Sequence, residues 1–263
     1  MIREAREVCA VRGAREAFGV RKVRGAAFDI DGTLIRGGLY RQLMLGLIDA
    51  GVIPEVHASI IQQKLLSWKR RESKDAYDEY ELSLVNAIAS SLADIPTAVF
   101  DEVASNIVTE ELDHVYTYTR HRLRELKQAG YFLIAISGSQ QELVEPFAKK
   151  YGFDAWAAQV YERRGDTFTG TITAKTYTNK DKFLQEIIDK HGLTLAGSYA
   201  FGDSEGDRHI LAMVEHPVIF NPTEKLLEIA KTNGWPIVLE RKSVVFELKK
   251  GEGGYLLAQA GKI

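Results

Sequence analysis

Residues Gly25-Ala26-Ala27-Phe28-Asp29-Ile30-Asp31-Gly32-Thr33 decide the fold of this chain. Small and apolar side chains from Gly25 to Ile30 predict a short buried strand, and Asp31-Gly32 predicts a tight turn that ends it. On an extended chain Asp29 and Asp31, two residues apart, point to one side, and a strand end can aim both at one crevice. In open α/β sheets that crevice, beyond the carboxyl ends of the strands, is where ligands bind. Two carboxylates there can divide labour, one attacking an electrophile and the other handling a leaving-group proton. They repel each other, so a hard cation such as Mg²⁺, which prefers carboxylate and water oxygens, is called for. The plainer reading of the same residues is an Asp-rich turn.

Downstream of this strand, helical periodicity takes over. Val56, Ile60, Ile61, Leu65 and Leu66 recur at helical spacing behind Pro54. Tyr77, Glu81, Leu84 and Ile88 form a second stripe with one polar break, and Val99, Phe100, Val103, Ile107 and Val108 a third. About four helices and no strand are expected from Leu39 to Leu112. The pattern then alternates. Thr119 to Ala129 predicts a helix with Gly130 at its C′ position. Tyr131 to Ile136 is a continuous apolar run, as in strands of parallel sheets buried on both faces. Ser139 and Glu142 have capping-box spacing for the next helix, and Pro146 within it predicts a kink or a late start. Val160 to Thr173 predicts a hairpin around Arg164-Gly165-Asp166, and Asp181 to His191 an amphipathic helix. Ser198–Phe201, Val218–Phe220 and Ile237–Leu239 predict three more strands. The glycine-containing tail Lys242–Ile263 has no clear assignment.

Strand–helix alternation of this kind predicts an α/β fold with a mostly parallel sheet flanked by helices. Residues 1–36 and 118–263 would form that domain, interrupted by a helical cap over 37–117.

Three further groups carry chemistry. Gly202-Asp203-Ser204-Glu205-Gly206-Asp207 follows a strand, so Asp203 would reach the same sheet edge and complete a metal site. Asp207 lies four residues on, placed to orient a ligand or a lysine; a capped turn is the plainer reading. Ser137-Gly138-Ser139 follows the run YFLIAI and offers a hydroxyl beside a helix N-terminus, suited to phosphate oxygens or to simple capping. Lys180 opens a helix, the end where the dipole disfavours a cation, unless a phosphate or the aspartates sit there; Lys182 is the rival position.

Composition sets the outer limits. With 263 residues, 45% hydrophobic and 27% charged, the chain can bury a sizeable core as an ordinary globular protein. A formal net charge of −2 implies no global attraction to nucleic acid or anionic lipid. The lone Cys9 cannot form an internal disulfide and fits a reducing cytoplasm. No apolar run approaches the roughly 18 residues of a membrane span, and the N-terminus lacks the apolar core of a signal peptide. Met1–Arg24, with seven Lys/Arg against three Glu, reads as a solvated basic arm.

In order and spacing, DIDGT, SGS, Lys180 and GDSEGD resemble the haloacid dehalogenase superfamily of phosphohydrolases, and in detail its phosphoserine-phosphatase-like branch, subfamily IB. The helical insertion between the first and second motifs, Phe168-Thr169-Gly170 before the lysine, and Leu184 four places after Lys180 support the branch and favour Lys180 over Lys182. His216-Pro217-Val218, Asn221-Pro222 and Gly234-Trp235-Pro236 add to it. The resemblance covers roughly residues 25–239. It implies a Rossmann-like core with a small C1-type helical cap. It also implies a Mg²⁺-dependent phosphatase acting through an aspartyl-phosphate on Asp29. Asp31 would be general acid/base and a metal ligand through its carbonyl, with Asp29 and Asp203 as the other metal ligands. Ser137, Gly138 and Lys180 would hold the phosphoryl group, supported by Asp207, Thr33 and Ser204. Asp31 argues against a dehalogenase, which needs no acid on a leaving oxygen.

The expected partner is a small phosphorylated metabolite, with neither nucleic acid nor membrane involved; monomer and homodimer stay open. Phosphoserine phosphatases carry a glutamate soon after the second aspartate, and Leu34 to Tyr40 contains no acid. Arg36, Trp68 and Arg70 are the candidate specificity residues instead. Phosphoserine-like compounds, histidinol phosphate or another small metabolite are the candidate substrates. The alternatives are a phosphotransferase using the same intermediate and, from another class, a non-catalytic phospho-acceptor such as a receiver domain, which is shorter, uncapped and has no use for Asp31.

Overall fold

A computed structural model describes residues 22–262, so the expected basic arm, with Cys9, lies outside the described residues except for its last three. The chain begins with β1 (Arg24–Phe28), then runs through α1 (Leu39–Asp49), α2 (Glu55–Arg70), α3 (Ala76–Ser91) and α4 (Thr97–Glu111). After α5 (Thr117–Gln128) come β2 (Phe132–Gln140), α6 (Gln141–Tyr151), β3 (Ala155–Arg164) and β4 (Thr167–Ala174). The remainder is α7 (Lys180–His191), β5 (Thr194–Gly202), α8 (Arg208–Met213), β6 (His216–Phe220), α9 (Glu224–Asn233), β7 (Ile237–Arg241), β8 (Val244–Gly251) and β9 (Gly254–Lys262).

The strands form one nine-stranded sheet, ordered β4-β3-β2-β1-β5-β6-β7-β8-β9. From β3 to β7 all neighbours are parallel, while β4, β8 and β9 add antiparallel edges. The chain winds outward from β1 through β2 to β3, then returns to the other side of β1 with β5. That reversal is the topological switch point of a doubly wound sheet.

Both faces of the sheet are covered, and strand alternation decides which side chain goes where. Ala26, Phe28, Leu133, Ala135, Phe201 and Phe220 face one apolar cluster; Ala27, Ile134, Ile136, Ala200 and Ile219 face the other, against α7, α8 and α9. Phe28 and Phe201 stack across the β1–β5 pair at 4.2 Å between ring centroids. The four helices between β1 and α5 have the type and number expected. Leu39, Leu43, Met44, Tyr80, Leu84 and Phe100 from these helices belong to the same cluster as Phe28 and Phe201, so the helical block shares a core with one sheet face.

Several local expectations change. The Ser139–Glu142 capping box is absent: α6 starts at Gln141 without a side-chain cap, and the Ser139 hydroxyl goes to Asp31 instead. Pro146 sits inside α6, which runs on to Tyr151 with neither a break nor a late start. β2 extends through Ser137, Gly138 and Ser139, so these residues end a strand. The unassigned tail is a hairpin, β8 and β9, added to the sheet edge. Gly130 takes the left-handed backbone expected after α5. No helix of the described residues is long and apolar enough to cross a membrane.

Candidate active site

The sheet order brings three of the four chemistry-bearing segments together, because β1 lies between β2 and β5. Asp29 and Asp31 follow β1, Ser137 to Ser139 end β2, and Asp203 follows β5. Lys180, the first residue of α7, reaches in from the face that α7 covers.

Lys180 Nζ donates to Asp29 Oδ1 at 2.6 Å and to Asp207 Oδ1 at 2.7 Å, and all three side chains are buried. The ion pairs resolve the lysine's position at a helix N-terminus. Burial opposes its charge, but Asp207 and Asp29 outweigh that and raise its pKa. Lys182, the rival, plays no part in this network. The second carboxylate oxygen of Asp207 accepts from the backbone of Asp203 and Ser204 and from the Ser204 hydroxyl, closing a capping box.

Asp29, Asp203 and Asp207 each have a carboxylate oxygen within 4.8 Å of the others. Three carboxylates against one ammonium leave two negative charges uncompensated when all are ionised. The acidities record this. Burial first, then repulsion from Asp207 and Asp31, pushes Asp29 up to about 8 despite Lys180. Asp203 is raised well above the carboxylate range by burial, Asp29 and Asp207. A hard divalent cation matches both the donor set and the missing charge. Gly32 makes the close approach possible: its φ is +78°, and a Cβ there would lie 2.1 Å from Asp203 Oδ2.

Asp31 is turned away from this trio. Its Oδ2 accepts from Ser137 Oγ at 2.9 Å and Ser139 Oγ at 2.8 Å, and its Oδ1 from the Leu39 amide at the start of α1. Thus α1, which has no acid in its own first turn, receives a carboxylate from the turn after β1. Gly138 lies against Tyr177, so a Cβ would meet that ring at 3.0 Å. Thr33 is fully buried just behind the turn.

The helical block supplies a roof that was only partly foreseen. Trp68 is there, stacked on Tyr80 at 5.4 Å and beside Tyr77 at 5.0 Å. The Arg41 guanidinium lies 5.7 Å from the Trp68 ring centre. Glu81 is half-buried; burial raises its pKa, Arg41 lowers it, and Asp31 raises it further. Tyr77, one turn earlier on α3, is raised by burial, then by Glu81 and Asp203. Neither Arg41 nor Glu81 forms a salt bridge with another described residue. The polar break at Glu81 in an otherwise apolar stripe was the sequence signal for this roof. Arg36 and Arg70 stand elsewhere. Arg36 is bound to Glu240 at 2.6 Å and lies over the Tyr116 ring, and Arg70 is exposed, 3.6 Å from Glu72.

The sequence model of haloacid dehalogenase-like hydrolases matches residues 26–212, which hold Asp29, Asp31, Ser137 to Ser139, Lys180, Asp203 and Asp207. The chain belongs to this family. Among curated members, it is 24% identical over 221 residues to phosphoserine phosphatase SerB2 of Mycobacterium tuberculosis, covering 82% of this chain and 49% of that protein. It is 25% identical over 220 residues to SerB1 of the same organism, covering 81% and 69%. The chain thus spans only about half the length of SerB2. In structure it resembles a protein of unknown function from Bordetella pertussis Tohama I (TM-score 0.62, 22% identity, covering 82% of this chain and 98% of that one). It also resembles a phospho-aspartyl intermediate analogue of phosphoserine phosphatase (TM-score 0.59, 19% identity, covering 84% and 95%). At these identities the likeness is one of fold.

Proposed function

We propose that this chain is a Mg²⁺-dependent phosphatase that hydrolyses a small phosphomonoester through an aspartyl-phosphate on Asp29. The observation that carries this reading is the buried Asp29–Lys180–Asp207 chain beside Asp203, with the Asp31 carboxylate held next to it by two serine hydroxyls. The relatives named as phosphoserine phosphatases support it.

Asp29 attacks phosphorus while the bond to the leaving oxygen breaks, and Asp31 gives that oxygen its proton. Asp31 then takes a proton from water, whose oxygen attacks phosphorus; the Asp29–phosphorus bond breaks and inorganic phosphate leaves. Lys180 and the Ser137 hydroxyl hold phosphoryl oxygens, with the buried lysine already oriented before substrate arrives. Asp29, Asp203 and the Asp31 carbonyl would hold Mg²⁺, which neutralises charge on the phosphoryl group.

The roof bears on the substrate. Arg41 offers a cation to an acidic group and Glu81 an acceptor to an ammonium or hydroxyl, both without ion-pair partners among the described residues. That favours a leaving group carrying both signs, as phosphoserine does, over histidinol phosphate, which has no acid for Arg41. The glutamate missing after Asp31 is then met by one from α3.

The test is phosphate release from phosphoserine, histidinol phosphate, sugar phosphates, glycerol phosphate, nucleotides and p-nitrophenyl phosphate, with Mg²⁺ or EDTA. Release that requires Mg²⁺ and is lost in a folded Asp29→Asn variant is expected, with phosphoserine the best substrate. Turnover persisting in Asp29→Asn sinks the nucleophile assignment, and little free phosphate beside a phosphorylated acceptor marks a transferase.

A further inference from the structure

The helical block hangs on two chain segments that run side by side. The outgoing one crosses at Leu34–Arg36 and the returning one at His114–Tyr116. Ile35 bridges Val115, the Arg36 amide donates to the His114 carbonyl at 3.1 Å, and the Tyr116 amide to the Leu34 carbonyl at 2.8 Å. This neck is continuous with the catalytic turn. The amides of Leu34 and Ile35 both return to the Ile30 carbonyl, and the Gly32 amide donates to the Gly37 carbonyl at 3.2 Å. Residues 30–37 are therefore one hydrogen-bonded knot, with Asp31 at one end and Arg36 at the other.

A single carboxylate from a distant strand holds both halves of the neck. Glu240, on β7, has a side chain only 1% exposed. Its Oε1 accepts from the Arg36 guanidinium at 2.6 Å and from the Thr117 amide at 3.3 Å, and its Oε2 accepts from the Tyr118 amide at 2.9 Å. The Glu240 amide in turn donates to Asn221 Oδ1 at 2.9 Å. Helix α5 has no side-chain cap of its own and no acid in its first turn, so Glu240 meets the orphan amides there. A neutral residue with one acceptor could do part of that. A buried anion spanning the helix start and a guanidinium from the opposite segment does more: it fixes where the neck stands relative to the sheet.

We infer that Glu240 is a positioning residue for catalysis, acting through Arg36 to hold the Asp31 knot and the root of the helical block in register with Asp29 on the sheet. This rests on the reading of the chain as a phosphatase, although one of its tests does not need turnover. A shift of about 1 Å at a distance from the reacting atoms can cost up to ~10²-fold in rate.

The experiment compares wild type, Glu240→Gln, Arg36→Ala and the double variant with p-nitrophenyl phosphate and Mg²⁺, alongside amide hydrogen exchange of each. Glu240→Gln keeps the shape and removes the charge; Arg36→Ala changes a half-exposed side chain that the core does not need. The expected result is that kcat falls roughly 10- to 100-fold in both single variants, with KM within about threefold. The double variant should be no slower than the slower single, because both act through one contact. Exchange should quicken at 34–36 and at 114–118 together. A Glu240→Gln protein with wild-type kcat and only a lower Tm, or with exchange quickened at 117–118 alone, would reduce Glu240 to a helix cap and overturn the inference. Should wild type itself release no phosphate, the phosphatase reading fails, and exchange at the two segments still decides whether Glu240 ties them.

Discussion

Replacing Lys180 by methionine separates the electrostatic role of that residue from its place in the core. The side chain is 7% exposed, lies 2.6 Å from Asp29 and 2.7 Å from Asp207, and is the cation that faces the three-carboxylate cluster. Methionine fills similar volume, so the loss is chiefly one of charge. Removing one partner of a buried pair leaves the other uncompensated, at a cost of about 3–5 kcal/mol. At roughly 2–4 °C per kcal/mol for a chain of this size class, the metal-free variant should melt roughly 6–20 °C below wild type near neutral pH. The sign with pH follows from the acidities. The Lys180 pKa is raised on folding, so its contribution is fully present throughout the neutral range and is lost only in strong alkali. Its partner Asp29 titrates at about 8 in the fold, against an unperturbed 3.8. Without Lys180, which lowers Asp29, the folded variant keeps a proton on Asp29 to higher pH than wild type, so the deficit should shrink as pH falls and grow in mild alkali. Calorimetry across that range, with EDTA and with Mg²⁺, is the assay. Mg²⁺ at a hundred times its Kd adds about 2.7 kcal/mol, so it should restore much of the stability but not turnover. A metal-free variant melting within a degree or two of wild type at neutral pH would refute the charge argument.

The effect of Mg²⁺ should itself depend on pH. Asp29 and Asp203 have folded pKa values above their unfolded ones, so the metal-free fold binds protons more tightly than the unfolded chain and loses stability as pH rises from about 4 to about 8. The Mg²⁺-induced rise in Tm should therefore grow across that window, and a flat response would contradict the assignment of these carboxylates as the cation site. Gly32→Ala places a Cβ 2.1 Å from Asp203 Oδ2 at a φ of +78°. It should abolish Mg²⁺-dependent stabilisation while circular dichroism still shows the fold, and a normal Mg²⁺ response would show that the turn can relax.

How much of this could be read beforehand depended on how locally each feature is encoded. The run GAAF before Asp29 and the run YFLIAI each carry their strand within six residues, and the glycines and aspartates at their ends carry the turns. Sheet order was legible only as a class, because pairing β1 with β5 requires packing between residues about 170 apart in sequence. Ser139 was misread for a physical reason: serine before a helix is equally suited to capping and to bonding a carboxylate across the sheet, and only the position of Asp31 decides. Arg36 pointed to the substrate on charge alone, yet its partner Glu240 lies 204 residues away on a strand whose neighbours gave no sign of it. Glu81 did leave a trace, as the one acid in an apolar helical stripe.

The same distinction explains why the site is built as it is. Asp29, Asp203 and Asp207 would not share a pocket in a protein selected only for stability, since burial and mutual repulsion raise Asp29 and Asp203 so far. What holds Asp29 and Asp203 is the parallel β1–β5 pair, which sets their strand ends side by side, while the capped turn after β5 brings Asp207 back to them. Lys180 offsets part of the repulsion, and the proposed cation would offset the rest. On the phosphatase reading, repulsion of this kind suits a site that must bind a dianionic phosphoryl group and release it again.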